Sequence, residues 1–210
     1  MSALDWDHNA FYHRALLRRL PPHCRAIADI GCGAGTLAAE LAGRADRVDA
    51  IDRSPEILEV ARTAVPANVS CVLSDVLEQP LPENEYDAIV SMSALHHLPL
   101  ERALPMLARA LRPGGVLVAA ALPRTELPPE LPVELLAALG HRAFGVAFAL
   151  RRALGRNGFG YETTHGVMPK FMDPADTTRE VRRRAAALLP GAQVRRLVFW
   201  RYLLVWHKPV

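Results

Sequence analysis

The stretch IADIGCGAGTLAAELA, residues Ile27 to Ala42, runs from apolar to amphipathic character through Gly31, Gly33 and Gly35, just behind Asp29. Glycines at alternate positions strip the backbone of side chains, so that a ligand or a packed element can come close to it. Three kinds of ligand ask for such a loop: a dinucleotide, a phosphate, or a molecule that carries no phosphate. The dinucleotide fingerprint GxGxxG/A wants a third small residue where this chain has Thr36. No lysine follows, as a triphosphate-binding loop would need. Both phosphate readings lose ground.

Outward from this loop the pattern alternates. Apolar runs at Ala26–Ile30, Arg47–Ile51, Val69–Leu73, Tyr86–Ser91 and Val116–Leu122 predict five strands. Helical spacing predicts helices over His8–Leu20, stopped by Pro21-Pro22, over Thr36–Ala42, ended by Gly43, and over Ser54–Ala64. Ser54-Pro55-Glu56 is a start signal for the last of these: a capping hydroxyl, a proline at the first position and an acid in the first turn. Another helix is expected over Glu101–Leu111, with Pro105 in its opening turn, and RPGG then turns the chain into the fifth strand. Strand and helix in alternation imply a Rossmann-like α/β fold: a mostly parallel sheet with helices on both faces. The rule breaks after Pro123. An apolar helical stretch, Val133–Leu154, leads into a glycine-rich segment, and Pro174–Leu189 reads as a further helix. The end, AQVRRLVFWRYLLVWHK, reads as a hairpin turning near Trp200-Arg201, which makes seven strands with the last, Tyr202–His207, antiparallel. At 210 residues the chain suits one domain, 1–210: a cofactor half (1–122), an insert (123–173) and a closing helix and hairpin (174–210).

The pattern Asp-x-Gly-x-Gly-x-Gly resembles the first motif of class I S-adenosylmethionine-dependent methyltransferases, of the small single-domain kind. VDAIDRSPEIL, CVLSDVLEQPLPENEYDAIVS and YDAIVSMSALHHL with LRPGGVLV follow it in the family's order. The resemblance covers about Ala26 to Ala121. It implies S-adenosylmethionine as cofactor, with Asp52 on both ribose hydroxyls, Asp75 on the adenine amino group and the Val76 amide at the ring. A carboxylate suits a vicinal diol, which offers two donors. Asp29, Gly31, Cys32, Gly33, Gly35, Arg53 and Ser91 complete the implied cofactor side. Many relatives close an aromatic residue of the N-terminal helix over the methionine end. Trp6, His8, Asn9 and Tyr12 are the candidates, with Tyr12 foremost, although Tyr12 and Phe11 equally suit packing of that helix onto the sheet.

A sulfonium methyl needs little beyond an aligned nucleophile, so catalysis rests on orientation and exclusion of water. His96 and His97, after the fourth strand, are placed to act as a base for an acceptor that arrives protonated, while the same ALHHL sequence also fits a structural role. The insert reads either as a helix buried at the sheet edge or as a lid over an apolar cavity. The expectation is the lid, with Phe144, Phe148, Met168 and Phe171 facing a small apolar or aromatic substrate. Glu134, His141, Arg142 and two glycines make its helix too polar and too broken to span a membrane.

The bulk numbers exclude more than they assert. Three cysteines without CxxC spacing argue against a disulfide framework and against a metal site. The N-terminus, MSALDWDHNAFYHR, lacks the basic start and apolar run of a signal peptide, which predicts a cytoplasmic protein. A net charge of +3 is too mild to announce nucleic acid. The basic clusters Arg151-Arg152, Arg182–Arg184 and Arg195-Arg196 are what support an RNA or protein methyltransferase instead. A cofactor-binding partner that transfers nothing itself is the remaining alternative.

Overall fold

A computed structural model describes residues 4–156, 159 and 174–210. Seven strands form one sheet: β1 (Cys24–Ile30), β2 (Ala45–Asp52), β3 (Val69–Leu73), β4 (Tyr86–Met92), β5 (Leu111–Ala121), β6 (Gln193–Leu197) and β7 (Arg201–His207). Their order is β3-β2-β1-β4-β5-β7-β6, with β1 to β5 parallel and β7 antiparallel to both its neighbours. The order reverses between β1 and β4, and an open α/β sheet binds its ligands beyond the carboxyl ends of the strands at such a point.

Successive residues of a strand face opposite ways, so the central strands feed two cores. Ile27, Val48, Val90 and Val118 pack against α1 (His8–Leu17), α2 (Thr36–Leu41) and α3 (Pro55–Ala64). Ala28, Ile89 and Leu117 face α4 (Leu100–Ala110) and α6 (Thr178–Leu188). Leu104 and Leu107 of α4 are wholly buried, each stabilising the fold by ~1.5–3 kcal/mol.

Three boundaries differ from the sequence expectation for local reasons. Pro105 is the sixth residue of α4, which starts at Leu100, and so stands in the second turn and not the opening one; the proline therefore withholds the amide that the Glu101 carbonyl would accept. β5 takes in RPGG itself, pairing Leu111 with Tyr86 before the register shifts at Ala88. α6 starts at Thr178, not at Pro174, because Thr177 and Glu180 form a reciprocal capping box: the Glu180 amide donates to Thr177 Oγ1 (3.2 Å) and the Thr177 amide to Glu180 Oε2 (2.8 Å).

The insert brings the largest revision. α5 (Leu131–Ala153) is unbroken over 23 residues, and its glycines are points of close approach. A side chain at Gly145 would overlap the Leu4 carbonyl oxygen, and one at Gly140 would crowd the Phe199 ring. Its inner face closes an aromatic cluster around the fully buried Trp6, whose ring centroid lies 5.2 Å from both Phe11 and Phe148 and 4.9 Å from Phe199. Glu134 accepts from Arg196 Nη2 (2.5 Å) and Trp200 Nε1 (2.7 Å), which ties the helix to the β6–β7 hairpin.

Candidate functional site

The loop behind β1 is held open from below. Gly31, Gly33 and Gly35 have φ of +71°, +54° and +82°. The amides of Gly31 and Cys32 both donate to the Ile51 carbonyl, at 2.8 and 3.1 Å, which seats the loop on the end of β2. A Cβ on Gly31 would overlap the Ala94 methyl, so only glycine lets the β1 and β4 loops come this close. Gly35, in the left-handed conformation that L side chains avoid, begins α2.

Asp52 joins two loops. Its Oδ2 accepts from the Gly33 amide and its Oδ1 from the Ser54 amide, both at 3.0 Å. Ser54 in turn caps α3, its Oγ accepting from the Ile57 amide. Each carboxylate oxygen can accept a second hydrogen bond, so the group still has capacity towards the cavity it lines. Asp75 stands in a tight turn after β3, its Oδ1 accepting from the Leu77 amide at 2.9 Å.

These groups surround a cavity of about 260 Å³ at the carboxyl ends of β1, β2 and β4. Asp29, Gly31, Cys32, Gly33, Asp52, Arg53, Asp75, Val76 and His97 all line it. Asp29 forms its floor, 1% exposed, and neither carboxylate oxygen has a hydrogen-bond partner. Burial pushes its pKa up to about 7; His13 pulls against that shift and Asp52 adds to it. Burial pushes the Cys32 thiol far above its usual range, and the Asp29 and Asp52 carboxylates add to this. It is neutral and serves as filling, not as a nucleophile.

Several expected residues stand elsewhere. Ser91 is wholly buried behind the site, its hydroxyl donating to the Ile30 carbonyl at 2.9 Å. Tyr12 is not on the cavity wall. Its hydroxyl accepts from the Phe199 amide at 3.1 Å, the packing alternative of the sequence reading. Trp6 and His8 belong to the aromatic cluster, and of the N-terminal candidates only Asn9 reaches the wall. Phe144 and Phe148 also miss the wall: their rings stack at 5.5 Å within that cluster, because the Gly145 contact turns this side of α5 towards the N-terminal segment. Met168 and Phe171 lie outside the described residues.

Sequence reasoning missed Asp7 and His13, which complete the N-terminal wall. Asp7 caps α1, accepting from the amides of Asn9 and Ala10, and an acid just ahead of a helical pattern was the available signal. His13 Nδ1 pairs with Glu40 Oε1 at 2.8 Å across α1 and α2.

His97 and Leu98 also border a second cavity, of about 290 Å³. His96, Leu122, Val181 and Tyr202 wall it, and Arg184 spans its edge between Glu101 and Asp176, 3.3 Å from each. His96 and His97, with rings 3.9 Å apart in the turn Leu95–His97, thus stand where the two cavities meet. Burial lowers the His97 pKa below 6.5, and the Arg53 charge lowers it further. Among the described residues no cluster of His, Cys, Asp and Glu is placed to hold a metal ion.

A glycine-cradled cavity at the switch point of an open parallel sheet defines a nucleotide- or nucleoside-binding α/β protein. Residues 28–119 match the family model described as a methyltransferase domain. An uncharacterized methyltransferase of Mycobacterium bovis is 34% identical over 207 residues, 98% of either chain. A ubiquinone biosynthesis O-methyltransferase of Xylella fastidiosa is 34% identical over 116 residues, 51% of this chain and 46% of that one. The crystal structure of an S-adenosylmethionine-dependent methyltransferase from Mesorhizobium loti has the same fold, with a TM-score of 0.60 and 19% identity over 93% of this chain and 96% of the other. The chain belongs to the class I S-adenosylmethionine-dependent methyltransferases.

The residues present fit that cofactor. An orphaned, buried carboxylate on the cavity floor calls for a cation, and the cofactor's methionine half carries an ammonium group. The Asp52 carboxylate has acceptor capacity for a diol, and the glycine loop offers bare backbone beside it.

Proposed function

We propose that this chain transfers a methyl group to a small metabolite with an apolar body, by in-line displacement. When bound, S-adenosylmethionine supplies an electrophilic methyl group on its sulfonium. In this reading Asp29 balances the ammonium, Asp52 takes the ribose hydroxyls, and Asp75 with the Val76 amide takes the adenine. The bare backbone from Gly31 to Gly35 lets the cofactor lie close. The acceptor occupies the second cavity, and His97 removes its proton where it carries one. Burial, with the Arg53 charge, favours the neutral His97 imidazole, the form able to accept a proton.

The observation that carries this reading is the pair of adjoining cavities that share His97 and Leu98. The second is walled by Leu95, Leu122 and Val181, with one carboxylate–guanidinium cluster at its edge. That composition suits an apolar body with a single polar anchor. The half-length match to an enzyme of ubiquinone biosynthesis supports the same class of acceptor. The RNA reading loses its footing in the basic run: Arg184 is held by Glu101 and Asp176, and Arg182 Nε donates to the Val194 carbonyl.

Screening a metabolite extract with isotopically labelled cofactor identifies the acceptor. Glu101→Trp, a solvent-exposed rim position, should then raise the acceptor KM roughly ten- to hundredfold, equivalent to ~1–3 kcal/mol. Cofactor affinity should stay within about twofold. An unchanged acceptor KM would place the acceptor elsewhere. Asp52→Ala should weaken cofactor binding in calorimetric titration by at least ~1.5–3 kcal/mol, because it removes a charged acceptor and also frees the Gly33 amide. Unaltered affinity would leave Asp52 as a loop brace only.

A further inference from the structure

The outer face of α5 bears a row of exposed aliphatic side chains: Leu139 is 72% exposed, Leu150 62% and Leu154, just past the helix end, 74%. At about 100° per residue, Leu135, Leu136, Leu139, Val146, Leu150 and Leu154 share an arc of about 100°, running about 29 Å along the axis. Arg142 lies just outside one margin of this arc and Arg151 outside the other, and both residues are exposed. The exposed Arg156 follows the helix end. Glu134 is the only acid in α5, and it is bound on the opposite side to Arg196 and Trp200.

We propose that this face seats the enzyme on an anionic lipid bilayer, with the helix lying in the plane of the interface. An apolar arc with Arg142 at its margin and Arg156 beyond its end sinks its aliphatic side chains among acyl chains, while those two guanidinium groups reach lipid phosphates. Contrary to the sequence expectation of a helix too polar and too broken to span, α5 is continuous and by length and composition alone could cross a membrane. Its inner face, however, is fixed to the domain through Ala137, Phe148 and the Gly145 contact, so it lies on the surface and does not traverse it. A second copy of this chain is a poorer occupant. Two-fold packing of α5 on itself would bring Arg142, at the middle of the helix, against its own copy with no acid on that face to pair with it. An anionic bilayer provides a counter-charge for Arg142. The proposal is independent of which acceptor the enzyme methylates.

The test uses the full chain and extruded vesicles, of phosphatidylcholine alone or with ~30% phosphatidylglycerol by mole, separated by sedimentation. The wild-type protein should pellet with the anionic vesicles at low salt. It should lose roughly tenfold or more of its partitioning on neutral vesicles or at high salt. Leu139→Asp with Leu150→Asp should abolish pelleting. Both positions are exposed, so the melting temperature and cofactor affinity should hold. Removing one charge with Arg142→Gln should cost roughly fivefold in partitioning. A wild-type chain that stays in the supernatant with anionic vesicles at low salt overturns the proposal. So does undiminished pelleting of the double variant, or a dimer in analytical ultracentrifugation that the double variant dissociates.

Discussion

Phe148→Ala is expected to lower the melting temperature by roughly 6–20 °C, the equivalent of ~3–5 kcal/mol for a core phenylalanine in a chain of this size. Phe148 is 8% exposed, and its ring lies 5.2 Å from Trp6, 5.0 Å from Phe159 and 5.5 Å from Phe144. Truncating it opens a void among rings that are locked by edge-to-face contacts and by the Trp6 Nε1 hydrogen bond to the His141 carbonyl. Since Phe148 does not line either cavity, the folded fraction should keep its acceptor preference and its cofactor affinity. Thermal melts beside steady-state kinetics check this. A changed acceptor preference with an unmoved melting temperature would restore Phe148 to the substrate wall.

Asp29→Asn should divide stability from function. Burial raises the folded-state pKa of Asp29 from 3.8 to about 7, so the native state holds this proton more tightly than the unfolded chain does. Stability of the cofactor-free protein therefore falls as pH rises from about 4 to about 7, and levels off above that. The neutral asparagine removes the penalty. Above pH 7 the variant should be more stable than the wild type by on the order of 2–4 kcal/mol, the two converging near pH 4. Its affinity for S-adenosylmethionine should fall ten- to hundredfold or more, from loss of a charge-assisted partner worth ~1.5–3 kcal/mol. Denaturant titrations at pH 5 and pH 8, with and without cofactor, read both effects. Equal stabilities at pH 8 would mean that this carboxylate is not strained, and intact affinity that it is not used.

What the sequence disclosed was local. The β1 loop, the acids after β2 and β3, and the strands that carry them depend on residues within a few positions of one another, and all were placed by pattern. The T-x-x-E capping box at Thr177 was equally local and could have fixed the start of α6. The second cavity was invisible because its walls come from 95–101, 122, 175–184 and 202, joined only by the fold. The same is true of Phe144 and Phe148. Apolar periodicity says that a face is covered, and not whether protein or substrate covers it. Gly140 and Gly145 read as breaks in the sequence because propensity counts their cost within a helix. What they gain, close approach to Phe199 and Leu4, is tertiary.

The single amide of Asn9 ties the N-terminal wall of the cofactor cavity to two separate elements. Its Oδ1 accepts from Ser93 Oγ and from Arg201 Nη2, both at 2.8 Å, so one side chain latches α1 to the β4 loop and to β7. Asp7, Asn9 and His13 all line the cofactor cavity, yet α1 reaches the sheet through side chains and contributes no strand to it. Trp6 just ahead of α1 and Leu16 within it are wholly buried, so moving that wall would uncover core as well as break these bonds. The side of the cofactor cavity that no strand builds is thus set by the same buried side chains that hold the fold, and a variant that loosens α1 should lower melting temperature and cofactor affinity together.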